Sequence, residues 1–277
     1  MKDQVHEAPM DNALVRELEL AQVVQNREYA AALRALKPES DAGVLEVAGG
    51  CGVYAGPGSP MTQGLALGIT EPLREADFDR LEAFLGRGGP IQVEVAAVAD
   101  PSVEALLRAR GYSKVEEQRV HYRDLAEPLV PPPPSPAEVR PLRPGEDAQW
   151  SRAIGQAFFG QEEVPQEIAD LMLPTTRCPS SIFYGAFLDG ELVGGGTLGV
   201  IGRVAVLSGT GVRAAFRQHG AQRALIHARL EAAVHAGLRW AVSATQPDSG
   251  SHRNLERAGF RVAYPKYVYV RLPPGGS

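Results

Sequence analysis

The sequence predicts two α/β domains of one type in tandem, and three observations carry that prediction. Residues 126–138, "AEPLVPPPPSPAE", hold six prolines and separate two structured halves. Residues 91–123 lie without a gap over residues 239–271, at an offset of 148. Both copies also present the same order of events: an apolar strand, an Asp/Pro/Ser cluster suited to capping a helix, a short helix, a glycine followed by an aromatic, and a last strand of alternating pattern. Ala96/Ala244, Asp100/Asp248, Leu107/Leu255, Gly111/Gly259, Val120/Val268 and Arg123/Arg271 are the identical pairs.

From the N-terminus, "NALVRELELAQVVQNREYAAALRAL" (12–36) reads as a helix, and glycine-rich "EVAGGCGVYAGPGSP" (46–60) as turns between strands. The latter lacks the Gly-Lys-Ser/Thr end of a phosphate loop. Helix 75–90 ends in glycines, where a C-cap belongs, and leads into the first copy of the repeat. The prolines then act as a spacer, because proline lacks the backbone donor a helix or inner strand needs and four in a row hold the chain extended. In the second half, 139–159 gives a strand and helix. Residues 182–200 give a hairpin whose Asp189-Gly190 pair suits a tight turn, and 203–212 gives a further strand. A helix from Ala221 presents an apolar row of Ala221, Ala224, Leu225, Ala228 and Ala232, and the second copy follows.

Composition narrows the function. With 277 residues, 44% hydrophobic, the chain can bury a full core. A net charge of −5 from 28 basic and 33 acidic side chains argues against a general nucleic-acid binder. Cys51, Cys178 and the six histidines form no metal-ligand spacing, so no metal site is expected. The absence of an N-terminal apolar stretch and of any run of about 18 apolar residues predicts a cytoplasmic protein with no membrane partner.

One stretch concentrates positive charge. Between Arg203 and Leu230 stand five arginines and two histidines with no acid at all, and the segment "VRAAFRQHGAQRAL" (212–225) opens a helix. Free N–H groups at a helix start, with Gly220 allowing close approach, suit phosphate. The same residues also suit an ordinary strand-to-helix turn with solvated charges.

The segment resembles the acetyl-CoA loop of the Gcn5-related N-acetyltransferase (GNAT) family, whose pattern is met here by Val212, Ala214, Phe216, Arg217, Gly220 and Gln222. "HRNLERAGF" (252–260) resembles the same family's later short helix closed by Gly-Phe. The resemblance spans roughly 138–272, with a worn copy before it. The fold class it implies is α/β (α+β): two tandem GNAT-like domains, each a mixed, mainly antiparallel sheet flanked by helices. The expected division is a degenerate domain at 1–125, a linker at 126–137 and an acetyl-CoA-binding N-acetyltransferase domain at 138–277.

By the resemblance, Gly211 and Val212 face the pantetheine arm, Arg217, Gln218, His219, Gly220, Ala221 and Gln222 hold the pyrophosphate, and Asn254 lies near the thiol. Two departures stand out: Gln222 replaces a small residue, and Leu255 replaces the tyrosine that protonates the departing thiolate. Tyr264 is the expected substitute acid, aimed back at the cleft, with Ser251 as another. Asp248 is a candidate base that also suits a helix cap, and His252 is expected to be exposed. The first-half counterpart of the loop, "ITEPLR" (69–74), has Glu71 where phosphate would lie and should bind no coenzyme. The implied function is acetyl transfer from acetyl-CoA to a small amine or a protein amino group in a ternary complex. A non-catalytic acyl-CoA-binding regulatory module is the alternative, and a structural tandem protein without ligand a third.

Overall fold

The computed structural model describes residues 11–160, 163 and 165–273, and the outer ends of the two expected domains, 1–10 and 274–277, lie outside them. In the first half, helix α1 (Asn12–Leu36) precedes strands β1 (Gly43–Val47), β2 (Gly50–Tyr54) and β3 (Gln63–Leu65). Helix α2 (Glu75–Leu85), β4 (Ile91–Ala96), α3 (Pro101–Ala109) and β5 (Ser113–Asp124) follow. The second half runs β6 (Glu138–Pro141), α4 (Asp147–Phe159), α5 (Gln166–Met172), β7 (Ser181–Leu188), β8 (Glu191–Ile201) and β9 (Val204–Val212). It closes with α6 (Ala221–His235), β10 (Trp240–Thr245), α7 (Gly250–Arg257) and β11 (Arg261–Arg271).

All these strands form one 11-stranded sheet in the order β1-β2-β3-β4-β11-β5-β10-β9-β8-β7-β6. Among the described residues only β3/β4 and β9/β10 pair in parallel. The sheet is therefore mixed and mainly antiparallel, as the sequence predicts. The order β1-β2-β3-β4 repeats as β7-β8-β9-β10, each run ending against one further antiparallel strand. That strand is exchanged: β11, from the chain's end, completes the first half, and β5 completes the second. The two exchanged strands then pair with each other and join the halves.

Local sequence explains the elements. Asp11 caps α1 by accepting from Ala13 N at 3.0 Å. Asp189 and Gly190 both take left-handed φ, 50° and 82°, as the hairpin turn requires. Ala48 and Gly49 do the same at 48° and 70°, so the glycine-rich stretch is itself a hairpin and not only turns. Its glycines serve packing, since a Cβ on Gly52 would come within 2.6 Å of Leu81 on α2. Gly111 and Gly259 end α3 and α7 at φ 77° and 84°, matching the repeat.

Helices α1 and α4 cover one face of the sheet; α2, α3, α6 and α7 cover the other. Val15 and Leu18 of α1 pack on Val206, Val242 and Tyr264, while Leu225 and Leu230 of α6 pack on Ala205, Leu207 and Ala241. The buried face of α6 is Ala221, Leu225, Ile226, Arg229, Leu230 and Ala233, rotated from the row expected from its alanines. An arginine in that face is what the pattern did not indicate.

The exchange carries His121 of β5 under α7, where it is fully buried with Nε2 3.1 Å from His252 Nδ1. Burial, and then the neighbouring His252, hold the His121 imidazole down from 6.5 to about 4. Below its ordinary value the unfolded chain binds a proton that the folded chain refuses, so stability is complete above about pH 6.5 and falls toward pH 4. Urea unfolding should lose about 2 kcal/mol more in the parent than in His121→Gln between about pH 7 and about pH 4.5. Equal losses would show that His121 takes its proton freely in the folded state.

Candidate functional site

The site forms where the sheet comes apart. β9 and β10 pair only through Val204–Val206 and Trp240–Val242, and beyond that they diverge, with Ser243 Oγ donating to Leu207 O at 2.8 Å as the last link. On its other side β9 slips register against β8: Gly195 pairs with Gly211 and Thr197 with Ser208, leaving Gly209 (φ 59°) and Thr210 as a bulge. The bulge frees carbonyls, and Arg229 of α6 takes them. Its Nη1 donates to Thr197 O at 3.0 Å and Ser208 O at 3.3 Å, and its Nη2 donates to Thr210 Oγ1 at 2.7 Å. Burial lowers this guanidinium to about 9, and no carboxylate pairs with it among the described residues.

Past β9 a 3-10 turn (Ala214–Phe216) leads into the loop. Gln218 and Gly220 adopt left-handed φ of 71° and 78°, the kind of turn that can present successive N–H groups to an anion. Helix α6 then starts with no side-chain cap and no acid in its first turn. Its free N–H groups and dipole face a cleft of about 830 Å³ between the loop, the end of β9 and α7. No acidic side chain lines the cleft among the described residues, whereas Arg217, Arg223, Arg253 and Arg257 do.

The nine residues expected to hold a coenzyme, Gly211, Val212, Arg217, Gln218, His219, Gly220, Ala221, Gln222 and Asn254, all line this one cleft. Arg217 is turned partly inward, donating to Val212 O (3.3 Å) and Ala157 O (3.4 Å), and so ties the loop to β9 and α4. The Gln222 amide spans to α7: it donates to Ser251 Oγ at 3.3 Å and accepts from Asn254 Nδ2 at 2.8 Å. Leu255 is buried beneath α7 with Phe260 and Leu225, so no acid can act from that position.

Two expected side chains are placed elsewhere. Tyr264 does not aim at the cleft. It lies on the opposite face beneath α1, 4% exposed, donating to Glu19 Oε1 at 2.8 Å. Burial first, and then the Glu19 carboxylate, push its phenol far up, so it is a poor proton donor as well as a distant one. Asp248 is exposed in a left-handed turn (φ 54°), outside the cleft lining, and Ser249 caps α7 instead by accepting from His252 N at 3.0 Å. His252 is half-buried against His121 rather than exposed.

Sequence reasoning missed two contributors. The proline linker is a wall of the site: Pro133, Pro134 and Pro136 line the cleft, and Ser135 Oγ donates to His219 O at 2.7 Å. Arg229 is the other, and the signal for it was the run Gly194-Gly195-Gly196. A Cβ on Gly196 would stand 2.7 Å from Arg229 Nη1.

In the first half, α2 starts with Glu75 and Asp77 in its first turn, a poor setting for an anion.

Residues 148–260, which carry this cleft, match the model of the acetyltransferase (GNAT) family. This region of the chain is a GNAT-family domain. No curated protein matches the chain. A GCN5-related N-acetyltransferase from Kribbella flavida is 15% identical, with 98% of each chain covered and a TM-score of 0.66. A second, from Sphaerobacter thermophilus, is 19% identical over 85% of this chain and 78% of its own, at 0.60. A tandem GNAT protein from the clavulanic acid biosynthesis pathway is 16% identical over 92% and 96%, at 0.58. At these identities the likeness is one of fold, and it extends through the first half. No described helix is long and apolar enough to cross a membrane.

Proposed function

We propose that the chain is an acyl-CoA-dependent N-acetyltransferase that passes acetyl from acetyl-CoA to an amine in a ternary complex. The observation that carries this reading is the uncapped, acid-free start of α6 facing a large cleft at the point where β9 and β10 part. The N–H groups from Gln218 to Gln222 would hold the pyrophosphate, and the pantetheine arm would run along Gly211 and Val212 into the opening. In this reading residues 138–277 are the catalytic domain and 1–125 a degenerate copy, joined through the linker at 126–137.

The chemistry needs little from side chains. A neutral amine attacks the thioester carbonyl carbon, the C–S bond breaks as the C–N bond forms, and the sulfur leaves with the electron pair. In this reading a backbone N–H of the Gly209–Thr210 bulge would donate to the developing oxyanion. With Leu255 in the core and Tyr264 on the far face, water takes the amine proton and supplies one to the thiolate. Coenzyme A is a good enough leaving group for this to slow transfer without forbidding it.

The loss of the usual tyrosine position to Leu255, with Tyr264 on the far face, supports a second reading, a non-catalytic acyl-CoA-binding module. Incubation with acetyl-CoA and a panel of amines, reading free thiol, separates the two. The proposal expects amine-dependent thiol release. Coenzyme A that binds in calorimetry while no amine accelerates thiol release would favour the binding module.

A further inference from the structure

A second cavity, of about 360 Å³, lies on the opposite face of the sheet beneath α1. It meets the coenzyme cleft at the bulge: Ser208 and Gly209 line the cavity, Thr210 and Gly211 line the cleft, and Phe158 lines both. An acceptor placed there would face the sulfur end of a thioester entering from the other side. Both halves build its walls, through α1, β3 and β4 of the first half, β8 to β10 of the second, and the two exchanged strands. Its volume is at the lower end for a small-molecule site.

Its charge is uneven. At the first-half end, Lys266 of β11 stands 3.0 Å from Glu19 and 3.6 Å from Glu94, so two carboxylates share one ammonium. Glu19 is otherwise satisfied, accepting from Tyr264 at 2.8 Å and from Gln22 at 3.3 Å. Glu94 has only the longer contact to Lys266 among the described residues, and its side chain is 19% exposed. Burial pushes its carboxyl up, against the pull of Lys266 and together with Glu19 and, more weakly, Glu116 of β5. The rest of the lining is rich in amides, including Gln25, Asn26, Gln63 and Gln118, and the one cation among the described lining residues is already shared. A carboxylate or phosphate on the acceptor would meet repulsion there; a second ammonium would meet Glu94.

The two ends are far apart. From β9 to β4 there are four strand spacings, about 19 Å, which side chains at both ends shorten. We infer that this cavity takes a small, elongated diamine, one amino group reaching the Ser208–Gly209 window in its neutral form and the other held as an ammonium by Glu94. The inference rests on the acetyl-transfer reading above, and Glu94 acts as a specificity residue, remote from the reacting atoms.

The test compares α,ω-diamines of graded length with monoamines and ω-amino acids of matched length, measuring thiol release from acetyl-CoA. A diamine should exceed its matched monoamine by about tenfold or more in kcat/KM, with the amino acid poorest. Glu94→Gln keeps the shape of the side chain and should erase that preference by raising KM for the diamine, leaving kcat and the monoamine nearly unchanged. Equal use of monoamines and diamines by the parent overturns the inference, as does a preference that survives in Glu94→Gln. Coenzyme A affinity is measured alongside by calorimetry. Coenzyme bound and monoamines acetylated but no diamine acetylated sinks the inference alone, whereas no coenzyme bound, or coenzyme bound with no amine acetylated at all, sinks the reading beneath it.

Discussion

Gly220→Asp should weaken coenzyme A binding by about a hundredfold or more, while Gly220→Asn weakens it far less. Gly220 caps α6 at φ 78°, two residues after Gln218 in the loop proposed to hold the pyrophosphate. Asn and Asp tolerate left-handed φ better than other side chains, and the two have nearly the same shape. A Cβ at this position meets Ser135 Cβ of the linker at 3.2 Å, a contact tight enough to displace the linker slightly and common to both variants. The comparison therefore isolates charge. A carboxylate about 4 Å from a phosphate at a partly solvated site costs about 4 kcal/mol, larger than the strain the variants share. Calorimetry with coenzyme A reads it directly, and equal affinities for the two variants would place the pyrophosphate elsewhere.

Residues 1–125 expressed alone should not fold, nor should 126–277, whereas the two fragments produced together should assemble into one cooperative unit. The reason is the exchange. Without β11, strand β4 loses its antiparallel partner along Ile91–Ala96 and keeps only the short pairing with β3, and the core of α2 and α3 loses Tyr269. Without β5, strand β10 loses its antiparallel partner along Trp240–Thr245 and keeps only its short parallel pairing with β9, and α7 loses Arg123, whose guanidinium donates to Ala258 O at 2.5 Å and to Pro128 O at 2.6 Å. Each fragment would expose an unpaired inner strand and a half-covered core, which a domain of this size cannot offset from its small net stability. Circular dichroism and urea titration of each fragment and of the mixture check this. A cooperative transition in the first fragment alone would show that it can close its own sheet with β5.

The sequence made the site easier to read than the tertiary arrangement. The phosphate-type loop is contiguous, so a glycine, a helix start and an absence of acids between Arg203 and Leu230 mark it as a candidate; the family resemblance is what set it apart from an ordinary strand-to-helix turn and added Gly211 and Asn254. The repeat at an offset of 148 was legible for the same reason, because caps and glycines mark each copy locally. The exchange was not legible. β5 and β11 have the same alternating pattern, so nothing local says which half's edge each one joins. Tyr264 went astray on this point. Once β11 lies between β4 and β5, that side chain faces α1 and Glu19. Asp248 failed for a smaller reason: it takes the left-handed turn, which leaves Ser249 in position to cap. Arg229 escaped because a buried arginine without a carboxylate partner breaks the usual polar-outside rule. Only the geometry of the bulge explains it.

The exchanged strands also set a timetable for the chain's synthesis. A chain emerging from the ribosome delivers β1 through β4 early, yet the antiparallel partner of β4 is β11, the last strand described. Until β11 is synthesised, β4 remains an open edge on that side, and β5 waits in the same way for both of its neighbours. Open edges of this kind invite pairing between nascent chains. β4 meets that hazard with Gln92 and Glu94 on one of its faces, and a carboxylate there discourages a second copy from docking. The charge assigned above to acceptor selection would thus also guard the half-made protein.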